Sequence, residues 1–81
     1  MAKVIFSTDL QRYTNGTGEI EVAAGRYQDL VVELRQRFPA ITEAVMDKYA
    51  IAIDGVLIQT PLLERFKSDS ELMFITKIAG G

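Results

Sequence analysis

The sequence predicts an α+β fold, a mixed sheet of about five strands with one main helix across one face. Three observations carry this. Residues 27–38 hold a single amphipathic helical stripe. Stretches rich in β-branched and aromatic residues precede and follow it. Two dipeptides, Asn15-Gly16 and Asp54-Gly55, mark tight reversals between such stretches, because both residue types accept positive φ.

Residues 3–8, Lys-Val-Ile-Phe-Ser-Thr, open as a strand. With Val4 and Phe6 facing inward, Ile5 faces the other way. Residues 9–18 form a long hairpin loop around Asn15-Gly16. Residues 19–23 alternate Glu, Ile, Glu, Val, Ala, a return strand with Ile20 and Val22 inward and the glutamates in water. Tyr27, Leu30, Val31, Leu34 and Phe38 then fall at helical spacing. Pro39 ends that helix, since the residue before proline avoids the α region. Residues 41–48 predict a short second helical turn capped by Thr42, with Ala44, Val45 and Met46 partly buried. Residues 49–53 form a strand, Asp54-Gly55 reverses it, and residues 56–58 return. Pro61 breaks the return strand. Residues 62–69 read as a loop with a helical turn, Leu62, Leu63 and Phe66 inward. Residues 71–76 form the last strand, in which Leu72 and Phe74 face the helix while Met73 and Ile75 face away with Ile5.

Composition narrows the function. The chain has 81 residues, the size of one domain, read as residues 1–81 with a flexible tail over 77–81. It contains no cysteine and no histidine, which removes a disulfide framework, a thiolate metal site, a cysteine nucleophile and the usual neutral-pH acid/base. We expect no bound metal and no cofactor. The acids Asp29, Glu33, Glu43 and Asp47 read as a solvated face, and Arg12, Arg26, Arg35 and Arg37 as solubilising charges. A net charge of −2 with scattered basic residues predicts no nucleic-acid partner. No apolar run reaches membrane-spanning length and the start lacks a signal-peptide core, so we expect a cytoplasmic protein with no membrane partner. These absences argue against an enzyme acting alone.

A hairpin followed by an amphipathic helix buries the helix stripe against the hairpin's apolar face, and the last strand must join the same sheet. This is the β-grasp architecture. The order of elements, the helix ending Arg37-Phe38-Pro39, the strand–turn–strand Ile51-Ala52-Ile53-Asp54-Gly55-Val56 and the ending Ile78-Ala79-Gly80-Gly81 together resemble the ubiquitin-like sulfur carriers of the MoaD/ThiS family. The likeness spans the whole chain and is nearer the MoaD type than the shorter ThiS type. Residues 10–16 also resemble MoaD-like carriers that serve cysteine synthesis, the CysO type. Two features depart from the family pattern. Ser68-Asp69-Ser70-Glu71 stands where a Gly-Asp turn is common, and Thr76-Lys77 where prolines are common.

The resemblance implies a protein co-substrate. An ATP-dependent activating enzyme of the MoeB/ThiF type would adenylate the carboxylate of Gly81. Sulfur from a persulfide donor would displace AMP and leave a thiocarboxylate. An acceptor such as the large subunit of molybdopterin synthase would take the sulfur, with this chain as the small subunit in molybdenum cofactor synthesis. Cysteine or thiamine biosynthesis is the alternative destination, and a ubiquitin-like modifier or binding module the alternative class. Elementary chemistry agrees with the division of labour, since a carboxylate is a poor electrophile and this chain has no group to activate one. Glycine's missing Cβ suits Gly80 and Gly81 to a narrow channel. Expected partner-contacting residues are Gly80, Ala79, Ile78 and Lys77 in the tail, with Ile75, Met73 and Ile5 as an apolar patch on the open face.

Overall fold

The computed structural model describes residues 1–59 and 61–77. Five strands form one sheet: β1 (Ala2–Ile5), β2 (Glu19–Val22), β3 (Tyr49–Ile53), β4 (Val56–Ile58) and β5 (Glu71–Thr76). Their order is β2-β1-β5-β3-β4. β5 lies in the centre, parallel to β1 and antiparallel to β3. The main helix is α1 (Tyr27–Arg37), and a single short turn of helix, α2 (Glu43–Met46), follows it. The predicted mixed sheet with one main helix is the observed fold.

Local chemistry explains the elements. Asn15 and Gly16 have φ of 55° and 80°, and Asp54 and Gly55 have 51° and 86°, so both predicted reversals use the left-handed conformation that these residue types tolerate. α1 ends at Arg37. Phe38 then turns extended, at φ −131° and ψ 83°, ahead of Pro39. The Thr42 hydroxyl accepts from the Val45 N–H at 3.3 Å, the predicted cap of α2.

The core lies between α1 and one face of the sheet. Leu30 and Leu34 are fully buried against Val4, Phe6, Val22, Ile51, Leu72 and Phe74. Tyr27, Val31 and Phe38 flank them, half-buried, as the stripe requires. Phe6 meets the Phe38 ring edge-on at 5.7 Å and stacks on Phe74 at 6.4 Å. These rings join the end of β1, the end of α1 and the middle of β5, in geometries that add to the burial of the rings themselves. Tyr49 is buried at the start of β3, and its hydroxyl donates to Asp9 at 2.7 Å. Burial first, and then this bond, push the phenol up to about 12.

The connections depart from the sequence reading in four places. The hairpin loop contains a 3-10 helix, Leu10–Tyr13, that buries Leu10 completely. In α2 Val45 and Met46 are buried but Ala44 is exposed, because one turn of helix presents only one side to the core. No helical turn forms over residues 62–69, and Leu62 and Leu63 point outward. Phe66 faces inward as predicted, and buried Pro61 takes the other inward position. Finally, Glu33 is not a solvated acid. Its carboxylate accepts from the Ala23 N–H at 3.1 Å and the Ala24 N–H at 3.3 Å, and pairs with Arg37 at 2.9 Å. It thus ties the end of β2 to α1.

The Ser68–Glu71 segment is held by local chemistry. The Ser70 hydroxyl donates to Asp54 at 2.8 Å, and the Glu71 N–H donates to the same carboxylate at 2.9 Å. The Asp54 N–H returns a bond to the Glu71 carbonyl at 2.9 Å. The β3–β4 turn and the start of β5 are therefore locked together through one side chain.

Candidate functional site

β5 organises the candidate site. Its side chains alternate, so Leu72 and Phe74 are fully buried under α1 while Met73 and Ile75, each 38% exposed, stand on the opposite, uncovered face. The register brings Ile5 beside Met73, Met73 beside Ala52, and Ala52 beside Leu57. Directly paired residues share a face. A row of apolar side chains therefore crosses four strands, from Ile5 to Leu57. Ile75 opposes Ala50 one step nearer the end of β5. Ala50 and Ala52 are short, so larger neighbours rise on either side of them. The result is a narrow, mostly apolar cleft lined by Ala50, Leu57, Gln59, Ile75, Thr76 and Lys77.

That cleft lies where the tail begins. The Lys77 N–H donates to the Lys48 carbonyl at 2.9 Å, so the chain stays tied to the sheet one residue beyond β5. Four further residues, Ile78, Ala79, Gly80 and Gly81, follow. These four expected site residues lie outside the described residues. The other four fall on one surface, with Ile5, Met73 and Ile75 in the apolar patch and Lys77 at its rim.

The opposite end of the open face carries charge. Lys3 pairs in register with Glu21 on one side and Glu71 on the other. Its ammonium also reaches Glu19 at 3.7 Å. The open face therefore grades from charged, where β1 and β5 start, to apolar, where the tail leaves. Among the described residues, no group of three or more acids is placed to hold a metal ion.

Sequence reasoning missed Leu57, Ala50 and Ala52 as parts of this surface. A signal was present, because a two-residue reversal at Asp54-Gly55 sets Leu57 opposite Ala52 once Ile53 pairs with Val56.

No family model matches the chain, and no curated protein matches it in sequence. Solved structures do match. The solution structure of small archaeal modifier protein 1 (SAMP1) from Methanosarcina acetivorans matches with a TM-score of 0.79 at 21% identity, covering 99% of this chain and 95% of that one. The fold is the β-grasp. A chain of the Amycolatopsis orientalis BexX/CysO complex matches with a TM-score of 0.81 at 17% identity, over 100% of both chains. SAMP1 from Haloferax volcanii matches with a TM-score of 0.70 at 19% identity, covering 99% of this chain and 98% of that one. At such identities the likeness is one of fold. Each neighbour is nearly coextensive with this chain. No helix among the described residues is long and apolar enough to cross a membrane.

Proposed function

We propose that this β-grasp protein is a sulfur carrier, a protein co-substrate whose chemistry takes place at the carboxylate of Gly81. The observation that carries the reading is the placement of the apolar open face. Ile5, Met73, Ile75 and Leu57 sit on the surface from which the chain leaves toward Gly80-Gly81, with Lys77 fastened at the exit. A partner that covers this face receives the tail at the same time. An exposed apolar patch of this kind is the usual mark of a partner site.

The partner is an ATP-dependent adenylating enzyme of the MoeB/ThiF type. The Gly81 carboxylate attacks the α-phosphorus of ATP, pyrophosphate leaves, and an acyl adenylate results. The terminal sulfur of a persulfide attacks the acyl carbon and AMP leaves. A thiol then cleaves the S–S bond, giving the Gly81 thiocarboxylate and a disulfide. The acceptor we assign is the large subunit of molybdopterin synthase, with this chain as the small subunit. The likeness to small archaeal modifier protein 1 favours a second reading, a protein modifier, in which the activated carboxylate is passed to an amine. The adenylation step is common to both.

Pyrophosphate release by a candidate activating enzyme tests that common step. The full chain should stimulate release. Deleting Gly81 or substituting Gly81→Ala should abolish or sharply lower it while leaving thermal unfolding unchanged, since residue 81 lies four positions beyond the last described backbone bond, at Lys77. Full stimulation by the chain lacking Gly81 contradicts the proposal.

A further inference from the structure

The two edges of the sheet differ in chemistry. β2 forms one edge and β4 the other. On β2, Glu19 and Glu21 are exposed and share the open face with Ile5 and Lys3, their partners in the register. A second copy that paired along this edge and shared the face would set glutamate against glutamate. Like charges placed directly opposite are destabilising, so β2 is guarded against its own copy. β4 has no such guard. From Gly55 to Gln59 the chain reads Gly-Val-Leu-Ile-Gln, with neither a charge nor a proline to blunt the edge.

The register decides which groups the β4 edge presents. Asp54-Gly55 is a two-residue reversal, so Ile53 and Val56 form the hydrogen-bonded pair beside it, and Ile51 and Ile58 form the next. Leu57 sits between these pairs, opposite Ala52, and its N–H and carbonyl therefore point away from β3. Among the described residues neither group has a partner. The side chains on this stretch are apolar on both faces. Leu57 is 49% exposed on the open face, and Val56 is 63% exposed on the helix face, opposite Ile53.

We infer that this edge pairs antiparallel with the same edge of a second copy of the chain, about a two-fold axis at Leu57. In that register the Leu57 N–H of each copy donates to the Leu57 carbonyl of the other, so both unpaired groups are satisfied. Val56 lies opposite Ile58 of the second copy, and Gly55 opposite Gln59. Apolar side chains meet at all three strand positions and no charge meets a like charge. Val56 is covered by Ile58, which already borders the core. The contact uses one patch on both copies, so it closes at a dimer and does not propagate. The axis is perpendicular to the sheet and leaves both open faces on one side. The apolar rows that run from Ile5 to Leu57 then meet end to end across ten strands. A three-residue strand is short, and shortness limits edge pairing. It supplies far fewer than the roughly 20–30 residues a side of a stable interface. The dimer should therefore form with a Kd of about 0.1–1 mM. None of this depends on what Gly81 carries.

The test uses the full chain labelled with nitrogen-15, compared by NMR and sedimentation from about 20 μM to 2 mM, a range that brackets that Kd. Amide shifts that grow with concentration should centre on Val56, Leu57, Ile58 and Gln59, the Leu57 amide should exchange more slowly at high concentration, and the sedimenting mass should approach twice that of one chain. Leu57→Lys and Leu57→Glu each place like charges together on the axis, and each should raise the Kd at least about tenfold. Mixed in equal amounts, the two variants should associate again, because lysine then faces glutamate. Spectra of the variants that match the unaltered chain outside β3 and β4 verify their fold, and the unaltered chain alone already tests the pairing. Four results overturn the inference: one chain's mass throughout, concentration-dependent shifts centred on Met73 and Ile75 or on β2, undiminished association of either variant alone, or no association in the mixture.

Discussion

The Lys77 N–H donates to the Lys48 carbonyl at 2.9 Å, one residue past the end of β5. This bond fixes where the tail begins relative to the sheet. It sets Lys77 against the cleft formed by Ala50, Leu57 and Ile75. A partner that reads the open face therefore meets the start of the tail in a defined place. Less of the ordering entropy then has to be supplied at the moment of binding.

The first prediction concerns that face. Replacing Met73 and Ile75 together with serine should weaken binding to the activating enzyme by about tenfold or more, in line with the loss of apolar anchors at an interface. Each side chain is only 38% exposed, so the urea midpoint should fall as well, but the loss of affinity should exceed the loss of stability. Isothermal titration on the variant and the unaltered chain checks this. An unchanged affinity removes the open face from the account.

Glu33 carries the second. Removing its carboxylate leaves the N–H groups of Ala23 and Ala24 without their partner and frees Arg37. Glu33→Ala should lower stability by about 1–2 kcal/mol, as for loss of hydrogen bonds to a charged group. Glu33→Gln keeps an acceptor and should cost less. Urea unfolding of the two variants gives the comparison. Equal effects would mean that the lost charge, and not the acceptor, matters.

The third prediction is a pH dependence. The Glu71 N–H and then the Ser70 hydroxyl hold the Asp54 carboxyl below its ordinary 3.8. A carboxyl lowered in the folded state adds stability that is present above its unfolded value. That stability is lost as pH falls through the lower folded value. Asp54→Asn tolerates the same left-handed backbone at φ 51° but cannot titrate. The stability difference between the two chains should therefore be constant above about pH 5 and shrink below pH ~4. Denaturation midpoints measured across that range decide it. A difference that stays flat to pH ~2 would show that Asp54 is not the titrating group.

The sequence disclosed those parts of the fold whose signals are local. The stripe from Tyr27 to Phe38, the Thr42 cap and the reversals at Asn15-Gly16 and Asp54-Gly55 each depend on neighbours in the chain, and the structure repeats them. The alternation along β5 placed Met73 and Ile75 on the open face for the same reason. Long-range chemistry was hidden. Glu33 serves backbone groups ten residues away, and nothing in its own helix marks it. Leu62 and Leu63 looked like core because leucine usually is, yet Pro61 and Phe66 fill the available space. The 3-10 turn had a readable sign. The Ser7 hydroxyl, three residues before Leu10, accepts the Leu10 N–H at 3.3 Å, a common way to start such a turn. For the site, alternation found the strand that carries the patch, but the contribution of β3 and β4 needed the register.

The central claim is that Gly81 carries sulfur. Intact mass spectrometry tests it most directly, after the chain has been incubated with ATP, an activating enzyme of the MoeB/ThiF type and a persulfide donor. The account predicts that one oxygen is replaced by one sulfur, that fragmentation places the change at Gly81, and that no change occurs without ATP. An unaltered mass with an enzyme that demonstrably releases pyrophosphate in response to this chain would contradict the carrier reading and leave the modifier reading in its place.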